Sequence, residues 1–434
     1  MKPVYSLFIA GLLSFVSLPI WAKVDIQTWQ TSKGAKVMFV AAPELPMLDI
    51  QVVFDAGSAR DGDKWGLASL TTALVGTHTP GMTEEQINTR TNELGARIGG
   101  DVDRDKATFS LRTITREGVL QPALELFKTS LTQSQFDQEI FERERQRTLV
   151  GLRQQQHSPE SLAQNAFWKN LYGTHPYAHP VSGTVETVEQ LKLKDVQAFY
   201  QRYFVAANAT IAIVGQLNTE QARQIAENLI ATLPQGEKPQ ALPQPQPLKQ
   251  AQREILPFES SQSYFRMGQI GVARGDADYY ALFLGNHLLG GSGFGSMLME
   301  EVREKRGLVY GVGSGFAPMR VAGPWVSYLS TKNASALEAE KVVRSTIESF
   351  LKSIDDKHFE AIKENLVGGF PLRIDSNAKI IGYIAMIGFY GLPLDYLEQF
   401  PERIQALTKA EVLQAWRKHF DLHKQVTVMV GQPA

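Results

Sequence analysis

The chain has 434 residues, of which 43% are hydrophobic and none is cysteine, and its formal net charge at pH 7 is −1. This length accommodates two to four domains of ordinary size. The near-neutral charge gives no basis for binding to nucleic acid or to an anionic membrane surface. The lack of cysteine excludes disulfides, a cysteine nucleophile and thiolate metal sites.

The first 22 residues have the pattern of a secretory signal peptide. Lys2 gives a positively charged start, residues 4–20 are largely apolar, and Ala22 ends a possible cleavage site. An uncleaved N-terminal anchor is the alternative, although the segment is at the short end for a membrane span. No later stretch is long and apolar enough to be one. We therefore expect an exported, periplasmic protein whose mature chain has no membrane span.

Two strand-like runs open the mature chain, at residues 37–41 and 48–54. A helix is predicted to start at residues 66–74, and a later helix contains residues 141–145 and continues to Gly151. Residues 233–256 are dominated by proline and glutamine, which predicts a semi-extended linker rather than a packed element.

The segments on the two sides of this linker repeat each other. Residues 199–216 and 415–432 each pass from a helix through a phenylalanine to a strand that ends in Val-Gly-Gln. This repetition predicts a duplicated domain, and strands and helices in blocks predict α+β layers. We expect duplicated two-layer α/β sandwich units that form two halves, residues 23–232 and 257–434. The linker joins these halves, which are arranged as a clamshell.

Residues 290–316 form the most informative stretch: a glycine-rich loop, a short helix, a tight turn and a strand. Ser292 or Ser296 can cap the helix, and Gly307 can end it in a left-handed conformation. Because the turn is short, we expect Arg303 and Tyr310 to lie close together.

The strand at the end of this stretch is predicted to alternate regularly. Under that alternation, Tyr310 and Val312 share one face, while Val309, Gly311 and the following glycines lie on the other. A strand face with three glycines indicates the close approach of another backbone.

This stretch resembles the C-terminal half-module of the pitrilysin/insulinase peptidase family, which includes the mitochondrial processing peptidase. Zinc-binding members carry an inverted motif, H-x-x-E-H. Many members work as pairs, in which one chain holds zinc and the other supplies an arginine and a tyrosine. The resemblance places that pair on Arg303 and Tyr310; Arg306 is the rival for the arginine, but the spacing favours Arg303. It further implies two α+β units in each half, four in all.

The glycine-rich loop also has a counterpart in the noncatalytic partner of the processing peptidase. The resemblance implies that the loop contacts the substrate backbone, and a loop without function is the alternative. The residues concerned are Gly290, Gly291, Ser292, Gly293 and Phe294.

The zinc motif itself is missing. The resemblance places its first histidine on Ser69, its glutamate on Thr72 and its second histidine on Ala73. The third ligand falls on Gly151, or on Val150 if the alignment is shifted by one residue. Two histidines at i and i+4 share one helical face and bind zinc, while the glutamate acts on the bound water. The residues present here can do neither.

Two other histidine pairs have a spacing of four residues. His175 and His179 are accompanied by prolines that argue against a helix, and their segment is interpreted as maintaining the fold. His419 and His423 lie at a helix-to-strand junction without an obvious third ligand, so a capping or surface role is the favoured interpretation.

We interpret the chain as the zinc-free subunit of an exported heterodimeric metallopeptidase that acts on peptides or unfolded segments. Tyr310 would stabilise the tetrahedral intermediate, Arg303 would position the peptide, and a partner chain with H-x-x-E-H would supply zinc and the general base. No cofactor is expected in this chain. The alternative is a structural or peptide-binding protein that kept the fold and lost catalysis, like the core proteins of the cytochrome bc complex.

Overall fold

The computed structural model describes residues 24–434. The predicted signal peptide, residues 1–22, lies outside these described residues. The first half has one six-stranded sheet, in the order β1-β2-β6-β3-β5-β4. Its strands are β1 (Gln27–Gln30), β2 (Lys36–Ala41), β3 (Met47–Phe54), β4 (Arg97–Val102), β5 (Ala107–Ile114) and β6 (Ala209–Gly215). Its helices are α1 (Leu67–Leu74), α2 (Glu84–Glu93), α3 (Leu120–Thr132), α4 (Gln138–Gln155), α5 (Pro159–Tyr172), α6 (Val185–Gln190), α7 (Leu193–Tyr203) and α8 (Thr219–Ile230).

The second half has one five-stranded sheet, in the order β7-β11-β8-β10-β9. Its strands are β7 (Gln252–Pro257), β8 (Gln262–Ile270), β9 (Val309–Phe316), β10 (Pro324–Lys332) and β11 (Val426–Gly431). Its helices are α9 (Tyr279–Asn286), α10 (Ala336–Lys352), α11 (Asp356–Gly368), α12 (Asn377–Tyr390), α13 (Tyr396–Ala406) and α14 (Lys409–His419).

Apart from the edge strand β1, which is added to the first sheet, the two sheets have the same strand order, which confirms the duplicated α+β architecture in two halves. Strand β2 pairs in parallel with β6, and β7 pairs in parallel with β11; the remaining neighbours in both sheets are antiparallel. Strands β4 and β9 are therefore equivalent, and each lies at a sheet edge. The expectation of four α+β units is wrong, because each half contains one sheet and not two.

Each sheet is covered on one face by helices of its own half and on the other by a helix from the opposite half. Helix α5 of the first half packs on β8 and β11, where Phe167 and Leu171 join the cluster formed by the valines of β11. Helix α12 of the second half packs on β2, β3 and β6. Gly388 of α12 lies so close to Met38 that a Cβ there would be 2.6 Å from the Met38 Cγ. The halves are thus joined by exchanged helices as well as by the linker.

A buried carboxylate stabilises the junction of the two halves. Asp105, which follows β4, is 2% exposed and accepts hydrogen bonds from the hydroxyls of Tyr177 and Tyr390. It also accepts a 2.8 Å bond from the Arg320 backbone N–H. Tyr390 and Arg320 belong to the second half, so one side chain of the first half receives two bonds across the junction.

The linker is shorter and better packed than the composition predicts. Residues 252–256 form most of β7, because the alternating Arg253-Glu254-Ile255 run adds in parallel to β11. Earlier in the linker, Leu233 and Leu242 are buried. Within the described residues, no helix has both the length and the apolar character needed to cross a membrane.

Candidate functional site

The stretch before β9 folds as a compact series of short helical turns. A π-helix at His287–Gly291 is followed by a 3-10 turn at Gly293–Gly295 and a second π-helix at Met299–Glu304. The predicted short helix is therefore largely a π-helix, a form that is concentrated at functional sites. Ser296, rather than Ser292, caps it: its hydroxyl donates to the Gly293 carbonyl over 2.7 Å and accepts from the Met299 N–H. Gly307 then reverses the chain with φ +61°.

A β-bulge determines where Tyr310 points. Val312 pairs with Leu329 of β10, and Val309 pairs with Thr331, so three steps on β9 match two on β10. The extra residue places Val309 and Val312 both in the core and leaves Tyr310 exposed together with Gly311. The predicted regular alternation is wrong at this point, because the core requires both valines and only a bulge allows that spacing.

Arg303 lies between two exposed aromatic rings. Its guanidinium carbon is 5.1 Å from the Tyr310 ring centroid and 4.7 Å from that of Phe294. Tyr310 is 88% and Phe294 70% exposed, and among the described residues the Tyr310 hydroxyl has no hydrogen-bond partner. The Arg303 Nε is 3.5 Å from the Glu304 carboxylate. The sequence-predicted proximity of Arg303 and Tyr310 is confirmed, and both present unused donor groups to solvent.

The rival arginine is already engaged. The Nη1 of Arg306 donates to the Glu301 carboxylate and to the Glu301 carbonyl, each over 2.7 Å. Arg303 makes only the longer contact with Glu304 and faces the tyrosine. Of the two arginines, Arg303 is therefore the one that lies against the Tyr310 ring, while Arg306 is bound to Glu301.

The glycine-rich loop divides into a buried and an exposed part. Gly290 is buried, and a Cβ there would lie 2.8 Å from the Ser314 backbone nitrogen. The predicted approach of another backbone to the glycine face of the strand is wrong at Gly311 and Gly315, where a Cβ would meet no atom within 4 Å. Gly291, Gly293 and Phe294 are exposed, and Ser292 is half-buried. The loop is held in place by His358, whose Nε2 lies 2.7 Å from the Gly295 carbonyl.

A buried asparagine that sequence reasoning missed fixes the loop to the sheet. The Asn286 amide donates to the Ser314 carbonyl over 2.9 Å, and its oxygen accepts from the Ser314 hydroxyl and from the Trp325 indole. The available signal was a polar residue at the end of an otherwise apolar helix, directly before His-Leu-Leu-Gly-Gly. Asn286 positions the loop beside Tyr310.

The positions of the lost zinc site lie where α1 packs against α4 and β4. Ser69 and Gly151 are half-buried and Ala73 is exposed. Thr72 is buried, and its methyl group lies 3.3 Å from where a Gly100 Cβ would be. Zinc takes imidazole, thiolate or carboxylate ligands. These four residues, and Val150 next to them, supply none, so the site does not fit the metal that zinc-binding relatives hold.

A buried carboxylate caps the helix that would carry the zinc motif. Asp61 accepts hydrogen bonds of 2.8 Å from the backbone N–H groups of Gly66 and Ala68. No cation pairs with it among the described residues, and burial raises the pKa of Asp61 to about 8. This residue orients α1 and was not singled out from the sequence.

The side chains of His175 and His179 are occupied by contacts within their own segment and its surroundings. His175 is held by the Pro243 carbonyl and the Tyr177 N–H, while His179 stacks on Trp65. Both have pKa values lowered by burial. They therefore serve the packing of their segment.

His419 has acidic neighbours that the sequence did not reveal. Its Nε2 is 2.7 Å from the Asp278 carboxylate, and Asp276 lies close enough to form a three-residue cluster. The Lys418 ammonium binds the same Asp278 oxygen over 2.7 Å, so that charge is already compensated. His423 is exposed and lies outside the cluster.

Comparisons with known proteins identify relatives over most of the chain. A family model described as "Insulinase (Peptidase family M16)" matches residues 36–185, and one described as "Peptidase M16 inactive domain" matches residues 190–366. A solved M16 inactive domain from Pseudomonas fluorescens is 38% identical, with a TM-score of 0.92, and the match covers 95% of this chain and 99% of that one.

Two proteins of Helicobacter pylori are more distant. The "Non-peptidase homolog YmxG" is 25% identical over 395 residues, which are 87% of this chain and 88% of that protein. A crystal structure described as a protease is 19% identical, with a TM-score of 0.87 and coverage of 94% of this chain and 100% of that one, and it shows likeness of fold.

Proposed function

The chain belongs to the M16 (insulinase) peptidase family as a zinc-free member, and on this premise we propose that it is the non-zinc-binding subunit of an exported heterodimeric metallopeptidase. The isolated chain has no ligand set for the catalytic metal. In the proposed complex a partner chain bearing H-x-x-E-H supplies zinc and the general base, and this chain supplies Arg303 and Tyr310.

The observation that carries the proposal is the contrast between the two halves. The zinc positions are filled by residues without ligand atoms suited to zinc, whereas Arg303 and Tyr310 lie together with free donors. A phenolic hydroxyl is a neutral donor at pH 7, and a guanidinium can bind a carbonyl in a forked geometry. A donor aimed at a developing oxyanion contributes roughly 3–4 kcal/mol to the transition state.

The two residues have different tasks in this proposal. Arg303 is fixed by Phe294 on one side and Tyr310 on the other, so its guanidinium is suited to hold a peptide carbonyl in the ground state. The Tyr310 hydroxyl extends further into solvent and stabilises the tetrahedral intermediate. The exposed glycines Gly291 and Gly293 let a peptide backbone approach without steric obstruction.

Substrates of this site are peptides or unfolded polypeptide segments. Both proposed residues recognise the backbone carbonyl, which every peptide carries, and an extended chain can add to an open sheet edge in the complex. Export to the periplasm is part of the proposal and rests on the signal-like pattern of residues 1–22. Cell fractionation with N-terminal sequencing of the mature chain tests it.

A second candidate function is peptide binding without cleavage. The Helicobacter pylori relative, which is named a non-peptidase homologue, favours it. The same exposed aromatic and arginine side chains would then hold a polypeptide that no partner cuts.

Reconstitution separates the two functions. The chain, a co-encoded H-x-x-E-H protein and their equimolar mixture are each assayed with a quenched fluorescent unfolded peptide, and zinc is measured in each sample. We expect cleavage in the mixture alone and zinc in the partner alone. Cleavage by the purified chain with stoichiometric zinc, or full activity of the partner by itself, would overturn the proposal.

A further inference from the structure

The middle of the linker, residues 239–248, lies on the protein with a period of three residues; we call this segment the strap. It contains no helix or strand, and four of its ten residues are proline, which fixes φ and keeps the preceding residue extended. A polyproline II helix has three residues per turn. Burial follows that period: the other six positions are exposed, and the residues that face the protein are Pro239, Leu242, Pro245 and Leu248.

The hydrogen bonds of the strap follow the same period. The Nη1 of Arg60 donates to the Gln240 carbonyl over 2.7 Å, and the Nε2 of His175 lies 2.9 Å from the Pro243 carbonyl. These two carbonyls are three residues apart, so one side of a polyproline II helix presents both of them to the protein. Two side chains of the first half therefore hold the strap in place.

The strap lies across the junction of the two halves. Leu242 belongs to the apolar cluster that contains Tyr177 of the first half and the valines of β11 in the second half. Arg60 is bonded to both carboxylate oxygens of Asp55, and that carboxylate lies 3.4 Å from the Nε of Arg320 in the second half. The strap thus covers contacts that join the halves, in addition to connecting them along the chain.

The hydrogen bonds of His175 require a neutral imidazole ring. A carbonyl can only accept, so the Nε2 that faces Pro243 carries the proton. The Nδ1 accepts a 3.1 Å bond from the Tyr177 backbone N–H, so it carries none. A second proton on the ring would sit on Nδ1 and oppose the Tyr177 N–H, because both groups would then be donors.

The surroundings of His175 also disfavour its charged form. The side chain is buried between the rings of Tyr172 and Tyr177, at centroid distances of 5.6 and 4.8 Å. Burial lowers its pKa, while the Pro243 carbonyl and the Asp105 carboxylate act in the opposite direction. The ten residues of the strap contribute no ionisable side chain. Because the folded chain takes up this proton less readily than the unfolded chain, the stability that the neutral ring contributes is lost as pH falls below about 6.5.

We propose that the strap is an acid-sensitive clasp, in which protonation of His175 releases Pro243 and lets the middle of the strap leave the junction. The charged ring has to turn away from the Tyr177 N–H, and because the same ring bonds Pro243, that bond is lost as well. Arg60 stays charged at every relevant pH, so its bond to Gln240 persists. Neutralisation removes the proton and restores the clasp. The device needs no partner chain and is independent of the proposed function.

A spin label on the strap tests the release. The chain has no cysteine, so Gln244→Cys provides a unique attachment site for a nitroxide at an exposed position. Electron paramagnetic resonance spectra of the full chain give the mobile fraction of the label between about pH 7.5 and about pH 5, which bracket the ordinary pKa of histidine. We expect that fraction to rise roughly fivefold and reversibly as His175 becomes protonated, with a midpoint below about pH 6.5. A constant mobile fraction would overturn the inference.

Two histidine variants assign the change to one ring. His175→Gln keeps a donor for the Pro243 carbonyl but does not titrate, so the label should stay immobile across the pH range. His179→Gln is the matched control, because His179 is also buried with a lowered pKa but stacks on Trp65 and makes no hydrogen bond to the strap. It should keep the wild-type rise, and an equal rise in His175→Gln would contradict the inference.

A second label separates release of the strap from unfolding of the chain. Gln154→Cys places the nitroxide at an exposed position on α4, where its mobility should not change with pH. If both labels become mobile together, the chain unfolds as a whole and the strap is not a separate clasp. Should His175→Gln not fold by circular dichroism, His175→Asn takes its place, and the wild-type titration can overturn the inference by itself.

Discussion

The guanidinium carbon of Arg303 lies 5.1 Å from the ring centroid of Tyr310, across the turn in which Gly307 reverses the direction of the chain. The turn brings the two residues together, and the β-bulge turns the tyrosine outward. Their donors are therefore exposed on the same side of the glycine-rich loop, which is the geometry that the first prediction tests.

Tyr310→Phe removes one hydroxyl and keeps the ring that packs on Arg303. In the reconstituted mixture we expect kcat/KM to fall roughly 100-fold, as for the loss of one oxyanion donor. Arg303→Ala should lower kcat/KM as well, mainly through KM, because it binds the substrate carbonyl before reaction.

Arg306→Ala is the matched control for Arg303→Ala. Arg306 is bonded to Glu301, so its loss should leave kcat/KM within about twofold, as for an exposed ion pair. Unchanged cleavage in both Tyr310→Phe and Arg303→Ala would remove the catalytic role of the pair.

The second prediction concerns the lost metal site. The triple variant Ser69→His, Ala73→His and Gly151→Glu should bind one zinc ion, since two histidines at i and i+4 on α1 would face a carboxylate on α4. A side chain at Gly151 meets no atom within 4 Å of its Cβ, so the glutamate has room. Metal analysis after dialysis is the measurement.

Replacing Gly151→Glu by Val150→Glu in this variant gives the control for the alignment. Val150 is exposed at a different angle on α4, so zinc should be held less tightly. Equal zinc binding by the two variants would contradict the assignment of the third ligand position to Gly151.

The third prediction is a pH dependence that arises from Asp61. Burial raises its pKa to about 8 in the folded chain, above the ordinary value of an aspartate. The folded state then holds a proton that the unfolded state has released, so Asp61 makes the free energy of unfolding fall as pH rises from about 4 to about 8. Asp61→Asn keeps an acceptor for the α1 backbone. It should remove the contribution of Asp61 to the decrease in the free energy of unfolding with rising pH.

Urea unfolding at several pH values measures that slope. Asp63→Asn, at an exposed position two residues away, should keep the wild-type dependence. If Asp61→Asn and the wild type lose stability in parallel between these pH values, the carboxyl of Asp61 is not the group responsible.

The fourth prediction concerns the junction between the halves. Asp105→Ala leaves the Tyr177 and Tyr390 hydroxyls and the Arg320 N–H without their acceptor. We expect a loss of about 3 kcal/mol in the free energy of unfolding, because each unsatisfied buried donor costs about 1–3 kcal/mol.

Asp105→Asn should cost less, since an amide oxygen still accepts hydrogen bonds and burial already raises the pKa of Asp105 toward the neutral form. Asp101→Asn, exposed on β4, is the control and should be neutral. Denaturant unfolding checks all three, and a neutral Asp105→Ala would mean that the exchanged helices alone join the halves.

Local patterns in the sequence were sufficient for several conclusions. The repeated strand endings predicted the duplicated α+β halves, and the positions at Ser69, Thr72 and Ala73 excluded a zinc motif, because a ligand set depends on residue type and spacing. The closeness of Arg303 and Tyr310 followed from a short turn. Each of these features depends on residues near one another in the chain.

Tertiary structure decided the features that depend on distant partners. The direction of Tyr310 is set by the register of β9 on β10, where Val309 and Val312 must both reach the core. The exchange of α5 and α12, the pairing of β7 with β11 and the bonds of Asn286 all join residues far apart in sequence. Alternation within one segment cannot show a bulge or an exchanged helix, because both arise only when the apolar surfaces of separate segments are buried together.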